Sequence, residues 1–467
     1  SNKSKDYFKR ILAITFTNKA ANEMKDRILG YLKNISEKTI DQYILDELRL
    51  RTGLNEEEIF EKASIIHSKM IHNYSDLSIM TIDKFNYQIV RSFSRDFGIS
   101  NNFEVELDIE KIIEPAVKEL LNKIDHEGDF LTRNFMSFLF YKLKSKKSTD
   151  LVSEIENFTK QVLKEKSYIS FPKKVDNDFF IELQNKIKVS TEESKKKLRQ
   201  LNKKSSQYLQ QNNITIDYLL KRPKIFNFFD SMMLDDNIWL QKNNIRIENR
   251  VTSGEIFSSV GKKIFDSSKR VSISKQLQIY YNEYKHCIKK LNTDVILNEN
   301  IFLMKFINDI LSFVERYCEK SNVQHISNFN KLINKIIVNQ PSAFIYEKIG
   351  KRYKNFLIDE FQDTSVLQWQ NLLPLIVDSV DDNQSLIVGD AKQSIYRWRS
   401  SEVNQFIDLP KLTDMESVSM SQEWENKLKS QYKMIFLENN FRSKKNIIKF
   451  NNDFFEKIKQ SCGFEII

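Results

Sequence analysis

Phe356-Leu-Ile-Asp-Glu-Phe-Gln-Asp-Thr-Ser365 sets three apolar residues in front of two adjacent carboxylates. The apolar run reads as a short strand buried on both faces, with Asp359 and Glu360 where that strand ends. In a parallel α/β sheet, ligands gather outside the carboxyl ends of the strands. Asp359 is therefore placed to hold a Mg²⁺ ion that carries nucleotide phosphates, and Glu360 to activate water. An Asp-Glu pair alone describes a loop with solvated acids equally well, so the neighbouring segments have to separate the two readings.

Upstream, Ile11-Leu-Ala-Ile-Thr-Phe16 reads as another buried strand, and Thr17 or Asn18 caps the helix that follows. Phe16 is available there to stack on a base, and Thr17 and Asn18 to bond phosphate, although a plain strand-to-helix turn has the same composition. Leu77-Ser-Ile-Met-Thr-Ile82 reads as a second strand, leading into a helix whose Phe85, Ile89 and Phe93 recur at core-forming spacing. Thr81 and Lys84 are the ligand candidates at that junction. Downstream, a helix over 366–377 carries Trp369, and Leu386-Ile-Val-Gly-Asp390 reads as a further strand. It runs directly into a loop where Gln393, Tyr396, Arg397, Trp398 and Arg399 together suit a site that senses a phosphate and stacks a base. Past a polar linker near 411–430, Met434-Ile-Phe-Leu437 reads as a strand and Ser443 as the cap of the last helix. Arg442 lies beside that cap, where a guanidinium meets either a phosphate or a structural carboxylate.

The 467 residues allow two to four domains with sizeable cores. Lys and Arg number 73 against 63 Asp and Glu, a net charge of +10 that suits a polyanionic partner without requiring one. Nine Gly and six Pro leave few helix breakers, so long helices should dominate. Residues 101–340 lose nearly all strand signal and read as an inserted helical domain. Its basic runs at Lys142–Lys147, Lys195–Lys204 and Lys262–Lys275 suit a phosphate backbone or a solvated face alike. A helix is expected around 343–350. Cys287, Cys318 and Cys462 match neither a disulfide framework nor a zinc pattern, and the five scattered histidines supply no catalytic candidate. No run of eighteen apolar residues occurs and the first residues carry no apolar signal-peptide core, which points to the cytoplasm.

Taken in order, Thr15-Phe-Thr-Asn-Lys-Ala-Ala21, Thr81-Ile-Asp-Lys-Phe85, Ile358-Asp-Glu-Phe-Gln-Asp-Thr364, Val388-Gly-Asp-Ala-Lys-Gln-Ser-Ile-Tyr-Arg-Trp-Arg399 and Asn440-Phe-Arg-Ser443 resemble the helicase motifs of the UvrD/Rep family. The sequence is most similar to the RecB and AddA type of ATP-dependent helicase-nuclease. The resemblance implies an α/β fold: a RecA-like P-loop motor domain with an incomplete parallel sheet, formed by 1–100 and 341–430. The large all-α inserted domain at 101–340 would follow, and 431–467 would begin a second motor domain. It also implies roles. Asp359 would hold Mg²⁺, Glu360 would act as hydrolytic base, Gln393 would sense the γ-phosphate of ATP, and Arg442 would serve as an arginine finger. Phe16, Thr17, Asn18, Thr81, Tyr396 and Trp398 would line a channel for single-stranded DNA drawn through toward its 5′ end. A partner subunit of a helicase-nuclease complex and a place in DNA repair and recombination are further implications.

Two departures bear on activity. The only Gly-Lys pairs, Gly261-Lys262 and Gly350-Lys351, do not fit G-x-x-x-x-G-K-[ST], so the phosphate-binding loop is expected upstream of Ser1 and this piece is expected to be inactive as an ATPase. Most of a second motor domain and a carboxyl-terminal nuclease are also expected outside these residues. Asp83 stands where many relatives carry His. Two rival readings remain: a non-catalytic, DNA-binding partner subunit that keeps the fold, and a metal-dependent DNase built on Asp359, Glu360 and the Asp390-Ala-Lys392 triplet.

Overall fold

The computed structural model describes residues 6–124, 129–144, 150–170, 177–230, 245–339, 347, 349, 352–413 and 420–462. The chain forms two compact units, one from 1–85 with 333–467 and the other from 86–332. Among the described residues the strands are β1 (Ile11–Thr15), β2 (Ser78–Thr81), β3 (Glu104–Glu106), β4 (Val323–His325), β5 (Asn355–Ile358) and β6 (Leu386–Ile387). No described helix is long and apolar enough to cross a membrane.

In the first unit the strands make one parallel sheet in the order β2-β1-β5-β6. The apolar runs form these strands because a strand covered on both faces needs apolar side chains on both. Leu12, Ala13 and Ile14 in β1 are buried, as are Phe356 and Ile358 in β5. Backbone pairing aligns Thr15 with Thr81 and Ile14 with Ile358. Ile358 in turn aligns with Ile387. Parallel neighbours require crossover connections, and helices supply them. Thr17 caps Asn18–Ser36 by accepting from Ala20 N at 3.1 Å. Ser365 opens Val366–Ser379 with a reciprocal capping box to Gln368. That second helix is buried almost all round, Trp369, Leu372 and Leu373 included.

Three expectations need correction at the carboxyl end. The linker near 411–430 contains a helix, Ser421–Gln431, which buries Trp424. Met434–Leu437 forms no strand: the side chains are 53%, 70%, 77% and 86% exposed, and no described strand pairs with them. Apolar alternation alone does not make a strand, because the backbone needs a hydrogen-bonding neighbour. Finally, the last helix begins at Lys445 rather than directly after Ser443. Asn440 Oδ1 accepts from the amides of Arg442 and Ser443, at 2.9 and 3.0 Å, and holds both in a turn. Most of the helix expected around 343–350 lies outside the described residues.

Among the described residues, the second unit is mainly helical, with the short parallel pair β3–β4 and one isolated antiparallel bridge between Leu219 and Phe257. Its longest helices, Asn177–Gln211 and Ser267–Met304, hold 35 and 38 residues. They run antiparallel: Gln184 meets Asn298, Ser190 bonds Asp294 at 2.7 Å, and Tyr208 packs edge-on to Tyr280. One core, with Phe138, Ile155, Phe302 and Phe306, lies toward one end of the pair. Another, with Leu209, Phe229, Ile256 and Leu277, lies toward the other end. Of the basic runs, Lys142 is buried against Glu154 at 2.8 Å, Lys195 pairs with Glu192 at 3.5 Å, and 145–147 lie outside the described residues.

Leu12 is fully buried in the central strand, so Leu12→Ala leaves a cavity that neighbours on both faces fill only in part. We expect it to destabilise the sheet-bearing unit by about 2–5 kcal/mol. Hydrogen exchange should locate the lost protection in β1, β2 and β5 while the helical unit keeps its own.

Candidate functional site

Every strand of the first unit's sheet runs the same way, so its carboxyl edge collects four strand ends. Phe16 and Thr17 follow β1, Ile82 and Asp83 follow β2, Asp359 and Glu360 follow β5, and Val388 to Asp390 follow β6. Residues hundreds of positions apart thereby share one edge.

The turn after β5 is the most constrained part of it. Asp359 N donates to Ile14 O at 2.9 Å, and Phe361 N donates to Val388 O at 3.0 Å. Between these anchors Glu360 takes a left-handed conformation, φ 53° and ψ 41°, which is unfavourable for a residue with a Cβ. Phe361 is fully buried and packs edge-on to Trp369, with centroids 4.9 Å apart, so the core holds the turn in place. Burial pushes the Asp359 carboxyl above its ordinary range, the amide of Glu360 opposes that shift, and the Glu360 carboxylate adds to it. No cluster of three or more His, Cys, Asp or Glu suited to a metal occurs among the described residues. A cation here would thus have one or two carboxylates and otherwise water and ligand oxygens, a donor set that fits Mg²⁺.

Next to these acids, Gln362 is 1% exposed and uses both ends of its amide. Its Nε2 donates to Glu360 Oε2 at 2.6 Å, and its Oε1 accepts from Asp390 N at 3.0 Å. Asp390 in turn accepts from Lys392 N at 3.0 Å through Oδ1 and from Gln393 Nε2 at 2.9 Å through Oδ2. Asp363, also buried, accepts from the amide of Ile395, while its Oδ1 has no partner among the described residues. Burial raises the Asp363 carboxyl and the Ile395 amide opposes it. The loop after β6 is therefore tied to the turn after β5 at both Gln362 and Asp363.

That loop carries the aromatic residues. Tyr396 stacks at a tilt on Phe16, centroids 4.6 Å apart, and Trp398 follows at 6.3 Å from Tyr396. The Arg399 guanidinium lies 4.7 Å from the Trp398 ring centre and 5.7 Å from that of Tyr396. Trp398 is 70% exposed, so the row ends in an open ring face flanked by a cation. Beside it, desolvation pushes the Asp83 carboxyl up, against the Arg399 charge and a 3.4 Å hydrogen bond from Gln368.

A family model described as the UvrD/REP helicase N-terminal domain matches residues 2–414. The chain belongs to the UvrD/REP helicase family. Among curated relatives, the RecBCD enzyme subunit RecB of Buchnera aphidicola is 27% identical over 477 residues, covering 98% of this chain and 35% of that protein. An ATP-dependent helicase/nuclease subunit of Lactobacillus acidophilus is 24% identical, covering 97% and 36%. Its counterpart in Staphylococcus aureus is 22% identical, covering 96% and 35%. The chain thus spans about a third of the length of these relatives.

Within this UvrD/REP chain, the sheet edge gathers Phe16, Thr17, Asp359, Glu360 and, through the loop after β6, Gln393, Tyr396 and Trp398. Asn18 is exposed in the first turn of its helix. Thr81 is buried, and its Oγ1 accepts from Lys84 N at 3.3 Å. Arg442 is exposed, and no hydrogen bond or ion pair among the described residues joins its side chain to Asp359, Glu360 or Gln393. From sequence alone Gln362, Asp363 and Gly389 receive no role. The last had a usable signal, a lone glycine between a strand and an acid. A Cβ at Gly389 would sit 2.7 Å from Gln362 Oε1 and 3.2 Å from Phe406 Cζ.

The Asp359 shift has a stability consequence. Its folded pKa lies above the unfolded value, so the folded state binds the proton more tightly, and this group's contribution falls as pH rises through the unfolded and then the folded pKa. Asp359→Asn should therefore raise the thermal midpoint at neutral pH without Mg²⁺ or nucleotide. The gain should disappear below about pH 4, where both states are protonated; a pH series of melting curves checks it.

Proposed function

We propose that this chain is part of the motor of an ATP-dependent DNA helicase of the RecB and AddA type, with a RecA-like first motor domain. The observation that carries the reading is that one parallel sheet edge presents a carboxylate pair and an aromatic row, joined through Gln362 and Asp390. ATP hydrolysis coupled to movement along a strand needs both parts in mechanical contact.

In this reading Asp359 holds the Mg²⁺ of bound ATP, which would neutralise charge on the phosphates. Glu360 accepts a proton from the attacking water, and Gln393 meets the γ-phosphate. Arg442 contributes a guanidinium when the exposed segment around it closes on the nucleotide. Phe16, Tyr396 and Trp398 give successive bases faces to stack on, with Arg399 beside them, and the exposed Thr17 and Asn18 serve the phosphates. Thr81 supports them from its buried position. The strand moves so that the motor travels from 3′ to 5′, and the chain works within a helicase-nuclease complex in DNA repair and recombination.

These 467 residues contain no G-x-x-x-x-G-K-[ST] sequence, so alone they should bind single strands but hydrolyse ATP poorly. Strand-stimulated turnover by residues 1–467 that Glu360→Gln abolishes would overturn that part. The DNase reading is weaker, because both Asp390 oxygens are already engaged by Lys392 N and Gln393 Nε2.

Base stacking is worth about 1–3 kcal/mol per base, so Trp398→Ala or Tyr396→Ala should raise the Kd for a fluorescent oligo-dT about 5- to 150-fold. Anisotropy titration reads the change, and unchanged binding in both variants would remove the strand path from this surface.

A further inference from the structure

We infer that Gln362 is a positioning residue: its buried amide orients the Glu360 carboxylate for hydrolysis and ties it to the loop that carries Gln393. The inference deepens the proposed hydrolase and rests on it. Its chemistry is on the two hydrogen bonds. A carboxylate oxygen only accepts and a backbone N–H only donates, so the amide fits in one orientation, Nε2 toward Glu360 and Oε1 toward Asp390. At 1% exposure neither end has water to fall back on.

The surroundings are built for this amide. Gly389 leaves the space in which Oε1 lies, since a Cβ there would stand 2.7 Å from it. The Gln362 carbonyl also accepts from Ser394 Oγ at 3.4 Å, on the same loop. Glu360 needs such a tether more than an ordinary surface carboxylate does. Its left-handed backbone aims the side chain, and the other described contacts of the turn hold only main-chain atoms or its neighbours. Gln362 itself reaches the reacting atoms only through Glu360 and Gln393, so it should act on turnover rather than on binding.

The test uses the full-length protein that carries these residues, with DNA-stimulated ATP hydrolysis measured across pH. Gln362→Leu removes both bonds and should lower kcat about 10- to 100-fold, the scale of a misplaced reacting group, while KM for ATP and Kd for DNA stay within about twofold. Gln362→Glu keeps an acceptor for Asp390 N but sets a negative charge against Glu360. Its kcat relative to the parent should be low at pH 8 and recover toward pH 6, as the introduced carboxyl takes up a proton and again offers a donor. A merely structural contact would lose and regain kcat in step with the folded fraction, read by melting curves over the same pH range, whereas lost orientation lowers kcat in protein that stays folded. Should Gln362→Leu fail to fold, the pH series on Gln362→Glu still decides. Parental kcat in these variants, or a loss seen only in KM, overturns the inference while an inactive Glu360→Gln leaves the hydrolase reading standing. Full activity in Glu360→Gln would instead overturn the hydrolase reading itself.

Discussion

Hydrogen bonding on both sides of β1 is the constraint from which the rest follows. Leu12 aligns with Ser78 on one side and with Phe356 on the other, which fixes where three strands stop relative to one another. A shift of one residue would turn every side chain of β1 to the opposite face and carry Phe16 away from Tyr396. The aromatic contact and the acidic turn are therefore consequences of the same backbone register, although more than 300 residues separate β1 from β5 in the chain.

The edge so formed carries several locally unfavourable features. Glu360 sits in left-handed backbone, Asp359 is partly desolvated, and a buried oxygen of Asp363 lacks a partner among the described residues. Each costs stability, and each is tolerated because Phe361, Trp369 and Phe406 pack beneath the turn. Strain of this kind collects where chemistry needs a fixed geometry. The sheet supplies the rigidity, and the turn uses it.

The strands and caps were legible in the residues themselves. Ile11–Thr15 and Asn355–Ile358 are short apolar runs followed by polar turns, and Thr17 and Ser365 are ordinary helix-capping types. What stayed hidden depends on partners distant in sequence. Gln362 lies between an aromatic and an acid and looks like any loop residue until Asp390 and Gly389 are folded against it. Met434–Leu437 has the composition of a strand and lacks only a neighbour, a property no local pattern records. Trp424 sits in a stretch polar enough to read as linker, although its ring is buried.

In the second unit, the antiparallel pair Asn177–Gln211 and Ser267–Met304 is long enough to matter mechanically. At the usual helical rise the two span about 52 and 57 Å, with a separate core toward each end. A tilt of about 5° at one end moves the other by roughly 4–5 Å, about one helical turn, over this length. An angular change too slight to repack the core at one end is thus several ångströms of travel at the other.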